Sequence, residues 1–362
     1  MEWIFLILAF IYGFLIIYFY IGLNRIQTQT ENNTFTVSVL VPARNEGNNI
    51  ITCLESLHRQ TYPNELFEVI IIDDNSTDNT ASVVQDYLRD KPNFRLIRKR
   101  DDGSEPTFKK QALKLALDSV NTDIVMTIDA DTVANQRWIE LMIAQYGKDT
   151  GMVAGLVTFP GESENNLFKK IQTLEFAGIV FAGAGSAGNN MPLICNGSNL
   201  SYRLKAFQDA GGYDSNIHLP SGDDDLLLQN IHRNTKWKIK YSILPETINY
   251  TRPAENLHGF INHRHQNSNK RSFFYFLISR PDWERQEKLI YQTFSDPIFP
   301  LGIFLVGLSV KVVTEALVIS RALKILGRMD LAKYYRPAQI FQIGYVLVVG
   351  ILGLFNKFTW GV

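Results

Sequence analysis

Phe67-Glu68-Val69-Ile70-Ile71-Ile72 runs directly into Asp73-Asp74, and this junction decides how the chain is read. A short aliphatic, β-branched run closed by turn-forming residues is the pattern of a buried strand. The same grammar recurs on either side. Thr36 to Val41 (TVSVLV) ends at Pro42, Asn93 to Arg98 reads as a further strand, and Asp123 to Ile128 (DIVMTI) ends at Asp129-Ala130-Asp131. Helical spacing fills the gaps. Ile50, Ile51, Leu54 and Leu57 share a face within Asn48–Arg59, and Val83, Val84 and Leu88 share another, with Ser76-Thr77-Asp78 placed to cap it. Lys109 to Val120 is a third such helix. Strands alternating with helices predict an α/β fold with a mostly parallel sheet and helices on both faces. Ligands of such sheets bind beyond the carboxyl ends of the strands. The early polar clusters all fall there: Pro42-Ala43-Arg44-Asn45-Glu46, Asp73-Asp74 and Asp129-Ala130-Asp131.

Each cluster also has a plain structural reading. Asp73-Asp74-Asn75-Ser76 serves equally as a turn and helix cap, and Asp129 and Asp131 serve as a solvated loop. Chemistry is favoured by their combination. Asp-x-Asp at the end of a rigid strand holds two hard carboxylates near one point. That suits Mg²⁺ or Mn²⁺, which usually take one or two carboxylates plus substrate phosphates. Lys109 and Lys110, opening a helix, are placed to add positive charge. A later triplet, Asp223-Asp224-Asp225, precedes Leu226-Leu227-Leu228. It reads either as an N-terminal charge cap, worth a few tenths to ~1 kcal/mol, or as the source of a general base for an acceptor hydroxyl.

Composition narrows the class. The chain has 362 residues with Lys+Arg and Asp+Glu both at 36. No basic excess points to a nucleic-acid partner. Two cysteines, Cys53 and Cys195, are too few for a disulfide framework. Trp3 to Leu23 is an uncharged apolar run, long enough to cross a ~30 Å hydrocarbon core. It lacks the basic start and small-residue cleavage site of a signal peptide, so it reads as an uncleaved anchor. Arg25 after it and Glu2 before it favour a cytoplasmic domain behind it. Apolar character returns from Pro297 to about Leu323 and from Ala338 to Phe355. Arg321, Lys324, Arg328, Lys333 and Arg336, against Asp330, favour a cytoplasmic loop between them, whereas three simple spans would put that loop outside. Re-entry or double crossing within 289–323 would reconcile the two, and so would failure of the charge rule. Lys311 and Glu315 lie four apart and are expected to pair. The small-residue stretch Phe176–Gly188 reads as a tightly packed helix, with an acceptor groove as the alternative.

In this order the residues resemble a membrane-bound, processive-type family 2 glycosyltransferase with the GT-A fold. The resemblance covers about Val37 to Arg271. Val39 to Glu46 is similar to the opening strand and nucleotide loop, Ile71 to Asp78 to the uridine-contacting motif, and Asp129-Ala130-Asp131 to the metal-binding DxD. Cys195-Asn196-Gly197-Ser198-Asn199, with Gly211 to Asp214, is similar to the acceptor-side segment. Gly222-Asp223-Asp224 stands where the family has Glu-Asp. The resemblance implies a nucleotide-sugar site of Pro42, Ala43, Arg44, Asn45, Glu46, Asp73, Asp74, Lys109, Asp129 and Arg264. It implies a Mg²⁺ or Mn²⁺ site at Asp129 and Asp131, acceptor contacts at Asn196 to Asn199, and Asp224 as base beside Asp223. The implied reaction inverts a sugar from a UDP-linked donor onto a hydroxyl of a lipid, lipid-linked or polysaccharide acceptor at the cytoplasmic face of the cell membrane. The family's QxxRW motif is not in place at His263-Arg264-His265-Gln266-Asn267, which weakens the implication of processivity.

The implied layout is an anchor at 1–25, a GT-A catalytic domain at 34–256, an interfacial helical segment at 257–290 and a multi-pass membrane region at 291–362. A polyprenyl-phosphate glycosyl transferase, a nucleotidyltransferase and a non-catalytic membrane scaffold are the alternatives. The nucleotidyltransferase lacks support because no Gly-rich, basic nucleotide loop follows the first strand. The sequence identifies no protein partner.

Overall fold

The structure, a computed structural model, describes residues 2–28, 30–31, 33–99, 109–213, 222–261 and 298–354. It divides into two compact units: Ile21–Glu164 with Ile179–Arg252, and Met1–Tyr20 with Asn165–Gly178 and Pro253–Val362.

The first unit is the α/β body. Its seven-stranded sheet has the order β3-β2-β1-β4-β7-β5-β8. The strands are β1 (Val37–Ala43), β2 (Phe67–Asp74), β3 (Phe94–Lys99), β4 (Ile124–Thr127), β5 (Thr150–Gly155), β7 (Leu200–Arg203) and β8 (Lys238–Ser242). A small second sheet pairs β6 (Val157–Thr158) with β9 (Asn249–Tyr250). β1 is parallel to both β2 and β4. It is buried almost throughout, as a near-continuous apolar run requires in a sheet covered on both faces. β7 is antiparallel to β4 and β5, so the sheet is mixed. Helices α2 (Ile50–His58), α3 (Thr80–Tyr87), α4 (Lys109–Leu117), α5 (Trp138–Ile143), α7 (Leu204–Asp209) and α8 (Asp225–Asn234) belong to this body. The chain order reverses between β1 and β4, which is where open α/β sheets place their ligands.

Two local expectations shift. Asp73 and Asp74 are the last residues of β2 and not a turn after it. Asp74 therefore lies opposite Lys99 of β3 in register. Asn79 is the residue that precedes α3, and it makes no side-chain cap bond. Asp78 instead accepts the Thr80 N–H at 2.9 Å, while its other oxygen accepts the Gly47 N–H at 3.1 Å.

Long apolar helices mark the rest. α1 (Glu2–Arg25), α6 (Leu167–Gly188), α9 (Ile298–Ile325) and α10 (Tyr335–Leu354) lie wholly or partly in the second unit. Leu6–Arg25 and Gly302–Ile325 are long and apolar enough to cross a membrane. α9 is continuous over 28 residues, so no re-entrant break interrupts 298–325. Within α6, the small-residue stretch packs as a helix: Ala184 and Ala187 are buried. A Cβ built on Gly22 would stand 1.9 Å from the Gly185 carbonyl oxygen. Glycine there permits backbone-to-backbone approach.

The pairing of Lys311 with Glu315 is present and is part of a larger network. Lys311 Nζ lies 2.8 Å from Glu315 and donates to Gln339 Oε1 at 2.7 Å and Gln342 Oε1 at 2.8 Å. Glu315 also accepts from Tyr12 and from Gln339 Nε2. An ammonium has three protons, and all three have acceptors here.

Candidate active site

Two loops follow β1 and β2. Asn45 and Asn75 both take left-handed backbone, with φ of 57° and 56°, a conformation Asn tolerates better than most residues. The two loops are bonded to one another. Asn45 N–H donates to Ser76 Oγ at 3.0 Å, and Thr77 N–H donates to Asn45 Oδ1 at 2.8 Å. Glu46 N–H donates to Thr80 Oγ1 at 2.8 Å. Pro42 and Ala43 close β1, and Arg44 and Asn45 are exposed beyond it. Asp73 and Asp74 are buried. Asp73 accepts the Ser76 N–H at 3.2 Å, and Asp74 pairs with Lys99 Nζ at 3.2 Å.

The antiparallel pairing of β7 with β4 brings the segment before β7 alongside Asp129. Thr127 Oγ1 donates to the Gly197 carbonyl at 2.7 Å. Ser198 Oγ donates to Asp129 Oδ2. Gly197 N–H donates to Asp224 Oδ2 at 3.0 Å, and Asp224 Oδ1 accepts the Asp225 N–H at 2.8 Å. Asp225 Oδ1 in turn accepts the Cys195 N–H at 2.8 Å. The acidic triplet thus caps α8 and is tied to residues 195–197 at the same time. Gly222, with φ of 84°, supplies the left-handed turn that leads into it.

Lys109 crosses the site. Its ammonium lies 2.6 Å from Asp129 Oδ1 and 3.3 Å from Asp223 Oδ2. Burial alone would push its pKa down. The charges of Asp129 and Asp223, with the Asp129 hydrogen bond and the charge of Asp224, outweigh burial and hold it above the ordinary lysine value. Burial would likewise raise Asp129, but Lys109 and the Ser198 hydroxyl hold its carboxyl below the usual range. Asp131 behaves oppositely. Burial and the neighbouring Asp129 charge push it up, against hydrogen bonds from Thr251 and Thr132. Glu46 is also raised, by burial first and then by Asp131 and Asp129.

A divalent cation fits this donor set. Asp129 and Asp131 are hard oxygen ligands, and a cation would relieve the repulsion by Asp129 that adds to burial in pushing Asp131 up. Among the described residues no group of three His, Cys, Asp or Glu forms a full cage. Two protein carboxylates with substrate phosphates are the usual complement for Mg²⁺.

The structure brings Lys109, Asp129, Gly197, Ser198, Asp223 and Asp224 together. Asn199 sits elsewhere in function: it has no exposed surface. Its Oδ1 accepts from Trp138 Nε1 at 2.9 Å, and its Nδ2 donates to the Leu156 and Thr247 carbonyls, both at 2.7 Å. With its amide consumed in the core, it cannot also touch an acceptor. Asn196 turns inward to accept the Ser198 N–H at 2.9 Å. Arg264 lies outside the described residues. A cavity of about 420 Å³ lined by Asp149, Asp209 and Trp237 opens before β5 and β8, at the other end of those strands. Sequence reasoning did not find Lys99 or Thr127, and it placed Ser198 on the acceptor side without its bond to Asp129; no local pattern marks such contacts.

A mixed sheet with cross-bonded loops after β1 and β2, an Asp-x-Asp strand end and a late acidic helix cap has the layout of a GT-A fold. Residues 38–211, a little under half of the chain, match the model of Glycosyl transferase family 2. Among curated relatives, glycosyltransferase GlyG of Streptococcus pneumoniae is 26% identical over 39% of this chain and 45% of its own length. The poly-β-1,6-N-acetyl-D-glucosamine synthase of Staphylococcus epidermidis is 26% identical over 59% of this chain and 51% of its own. The chain spans about half the length of the curated relatives it matches. A mannosyltransferase from Pyrobaculum calidifontis, solved with GDP-Man and Mn²⁺, shares the fold with a TM-score of 0.61 and 17% identity, over 99% of this chain and 100% of that one.

Proposed function

We propose that this chain is a metal-dependent, inverting glycosyltransferase that moves a sugar from a nucleotide donor, a UDP-sugar first among the candidates, to a hydroxyl of a lipid, lipid-linked or glycan acceptor. The observation that carries the proposal is the bridge from Asp129 through Lys109 and the Gly197-Ser198 segment to Asp223 and Asp224. On this reading it would join the donor side to the acceptor side.

The nucleotide would lie across Pro42 to Glu46 and Asp73-Asp74. Asp129 and Asp131 would hold Mg²⁺ or Mn²⁺, whose charge would offset the diphosphate as it leaves. Lys109 would add a second positive charge beside Asp129. Asn196 to Ser198 would form the floor on the acceptor side. Asp224 would take the proton of the acceptor hydroxyl as that oxygen attacks the anomeric carbon opposite the departing phosphate, a single displacement that inverts the centre. Leu6–Arg25 and Gly302–Ile325 support a membrane location; the catalytic domain would face the cytoplasm, as Arg25 after the first helix and Glu2 before it favour.

One observation favours a second reading. Both Asp224 oxygens already accept backbone N–H bonds, as a purely structural cap would. A polyprenyl-phosphate acceptor arrives ionised and needs no base. The deciding experiment is UDP release by the detergent-purified chain, with Mn²⁺ or Mg²⁺ and membrane lipid extract, comparing wild type with Asp224→Asn. Metal-dependent release lost in the variant supports the hydroxyl acceptor. Full release by the variant favours the phosphate acceptor. No release from any nucleotide sugar would sink both.

A further inference from the structure

A gathering of cations lies in the second unit. The tight turn Met329–Tyr334 joins α9 to α10. Arg321, Lys324, Arg328, Lys333 and Arg336 stand on it or within a few residues, and Asp330 is the one acid of that stretch. Arg328 already holds Asp330 at 3.0 Å. The fold adds Lys170 of α6, whose Nζ lies 3.3 Å from the Tyr334 hydroxyl and 4.9 Å from the ring centre. Lys333 approaches the same ring at 5.2 Å. Two ammoniums thus converge on one phenol. An aromatic face attracts each of them, but the two repel one another, and an anion between them would relieve that repulsion.

Two further observations point the same way. The Arg321 Nε–H is buried and finds no acceptor among the described residues. Lys324, Lys333 and Arg336 are exposed, as is Met329 at 46%. An exposed apolar side chain among cations suits a membrane interface better than open water. The length of α9 agrees. Its apolar part, Gly302–Ile325, has 24 residues and is about 36 Å long, more than the ~30 Å hydrocarbon core. Its last turn, with Arg321 and Lys324, would reach headgroup level.

Resting on the membrane location proposed above, we infer that this basic collar docks the anionic phosphate headgroups of membrane phospholipids. Charge complementarity and continuity with the apolar face of α9, where Phe304, Leu305 and Val313 are exposed, favour a lipid surface over a soluble partner.

The test uses the full chain in neutral detergent, with phosphatidylglycerol or phosphatidylcholine added. Lipid retention is read by native mass spectrometry and stability by thermal melting. Phosphatidylglycerol should be retained roughly tenfold over phosphatidylcholine and should raise the melting temperature. The collar variant Lys324→Glu/Lys333→Glu/Arg336→Glu should lose both effects. A control of equal charge change on exposed residues, Lys148→Glu/Arg233→Glu/Lys236→Glu, should keep them. Equal retention of the two lipids, or retention by the collar variant, overturns the assignment. Inorganic phosphate reproducing the full effect would also overturn it, in favour of a free-anion site. Recovery of the chain in buffer without detergent would overturn the membrane location itself, and no readout here depends on glycosyl transfer.

Discussion

Lys109 and Lys311 begin alike: each ammonium lies within hydrogen-bonding reach of a carboxylate, at 2.6 Å from Asp129 and 2.8 Å from Glu315. Their surroundings then diverge. Around Lys109 stand Asp129 and Asp223, with Asp224 close enough to act on its charge. Negative charge is in excess. Around Lys311 the remaining partners are the neutral amides of Gln339 and Gln342, and Glu315 is completed by Tyr12 and Gln339. Charge there is balanced and the donors are used up. An unbalanced cluster can take in a further cation or exchange partners as a substrate arrives. A balanced one has nothing to gain from change and serves to hold helices together.

Substitutions can break or sharpen this contrast. The largest effect is expected from Asp224→Asn, which should lower kcat by about 10²–10⁴ if the carboxylate is a base, read in single-turnover assays, and should cost about 1–3 kcal/mol of stability because one of two backbone N–H groups loses its acceptor. Lys109→Met and Lys311→Met should separate next. The first should cost mainly turnover. The second leaves Glu315 uncompensated and should cost stability, on the order of 3–5 kcal/mol for breaking such a pair. Adding Glu315→Met should return most of that stability, whereas adding Asp223→Asn to Lys109→Met should return no activity. Rescue of both, or of neither, would erase the distinction between them.

Acidity should follow the same division. The Asp131 carboxyl is raised above the usual range and must be ionised to bind a metal. Mn²⁺ affinity should therefore weaken as pH falls through that raised value, by up to about tenfold per unit. The native state also holds this proton to a higher pH than the unfolded chain, so its contribution to stability declines as pH rises through the same window. Asp129, lowered by Lys109, contributes in the opposite sense: its stabilisation is present above the unfolded pKa and is lost as pH falls through the folded one. Manganese titrations followed by electron paramagnetic resonance, at a series of pH values, would show whether Lys109→Met steepens the acid limb. The smallest effect belongs to Gly197→Ala. Its Cβ would stand 3.3 Å from Asp223 Oδ2 and 3.4 Å from Lys109 Nζ, so the bridge must give by a few tenths of an ångström. A several-fold loss of kcat with unchanged melting is expected.

Much of this was legible from local pattern. β1, β2 and β4 announce themselves as apolar runs, and the acids at their ends locate the site because a parallel sheet presents those ends together. The partners were not legible. Lys109 and Asp223 lie far apart in sequence, and β7 antiparallel to β4 is what carries Ser198 to Asp129; neither leaves a periodic trace. Asn199 reads as polar and available, yet the Trp138 indole and two carbonyls claim it. Lys311 and Glu315 could be paired by helix spacing alone, but Tyr12, Gln339 and Gln342 come from other helices. Register did the same at Asp74, whose partner Lys99 became visible only once β2 and β3 were aligned.

The cross-bonded loops after β1 and β2 have a kinetic consequence. The amide protons of Asn45, Glu46, Gly47, Ser76 and Thr77 all have acceptors among residues 45–80. Loops so tied should exchange with deuterium slowly and as one unit. Under the function proposed above, a nucleobase arriving there would meet a surface that is already set. It would be accepted or refused by fit and not by adaptation, which favours fast capture of one base and narrow tolerance for the others.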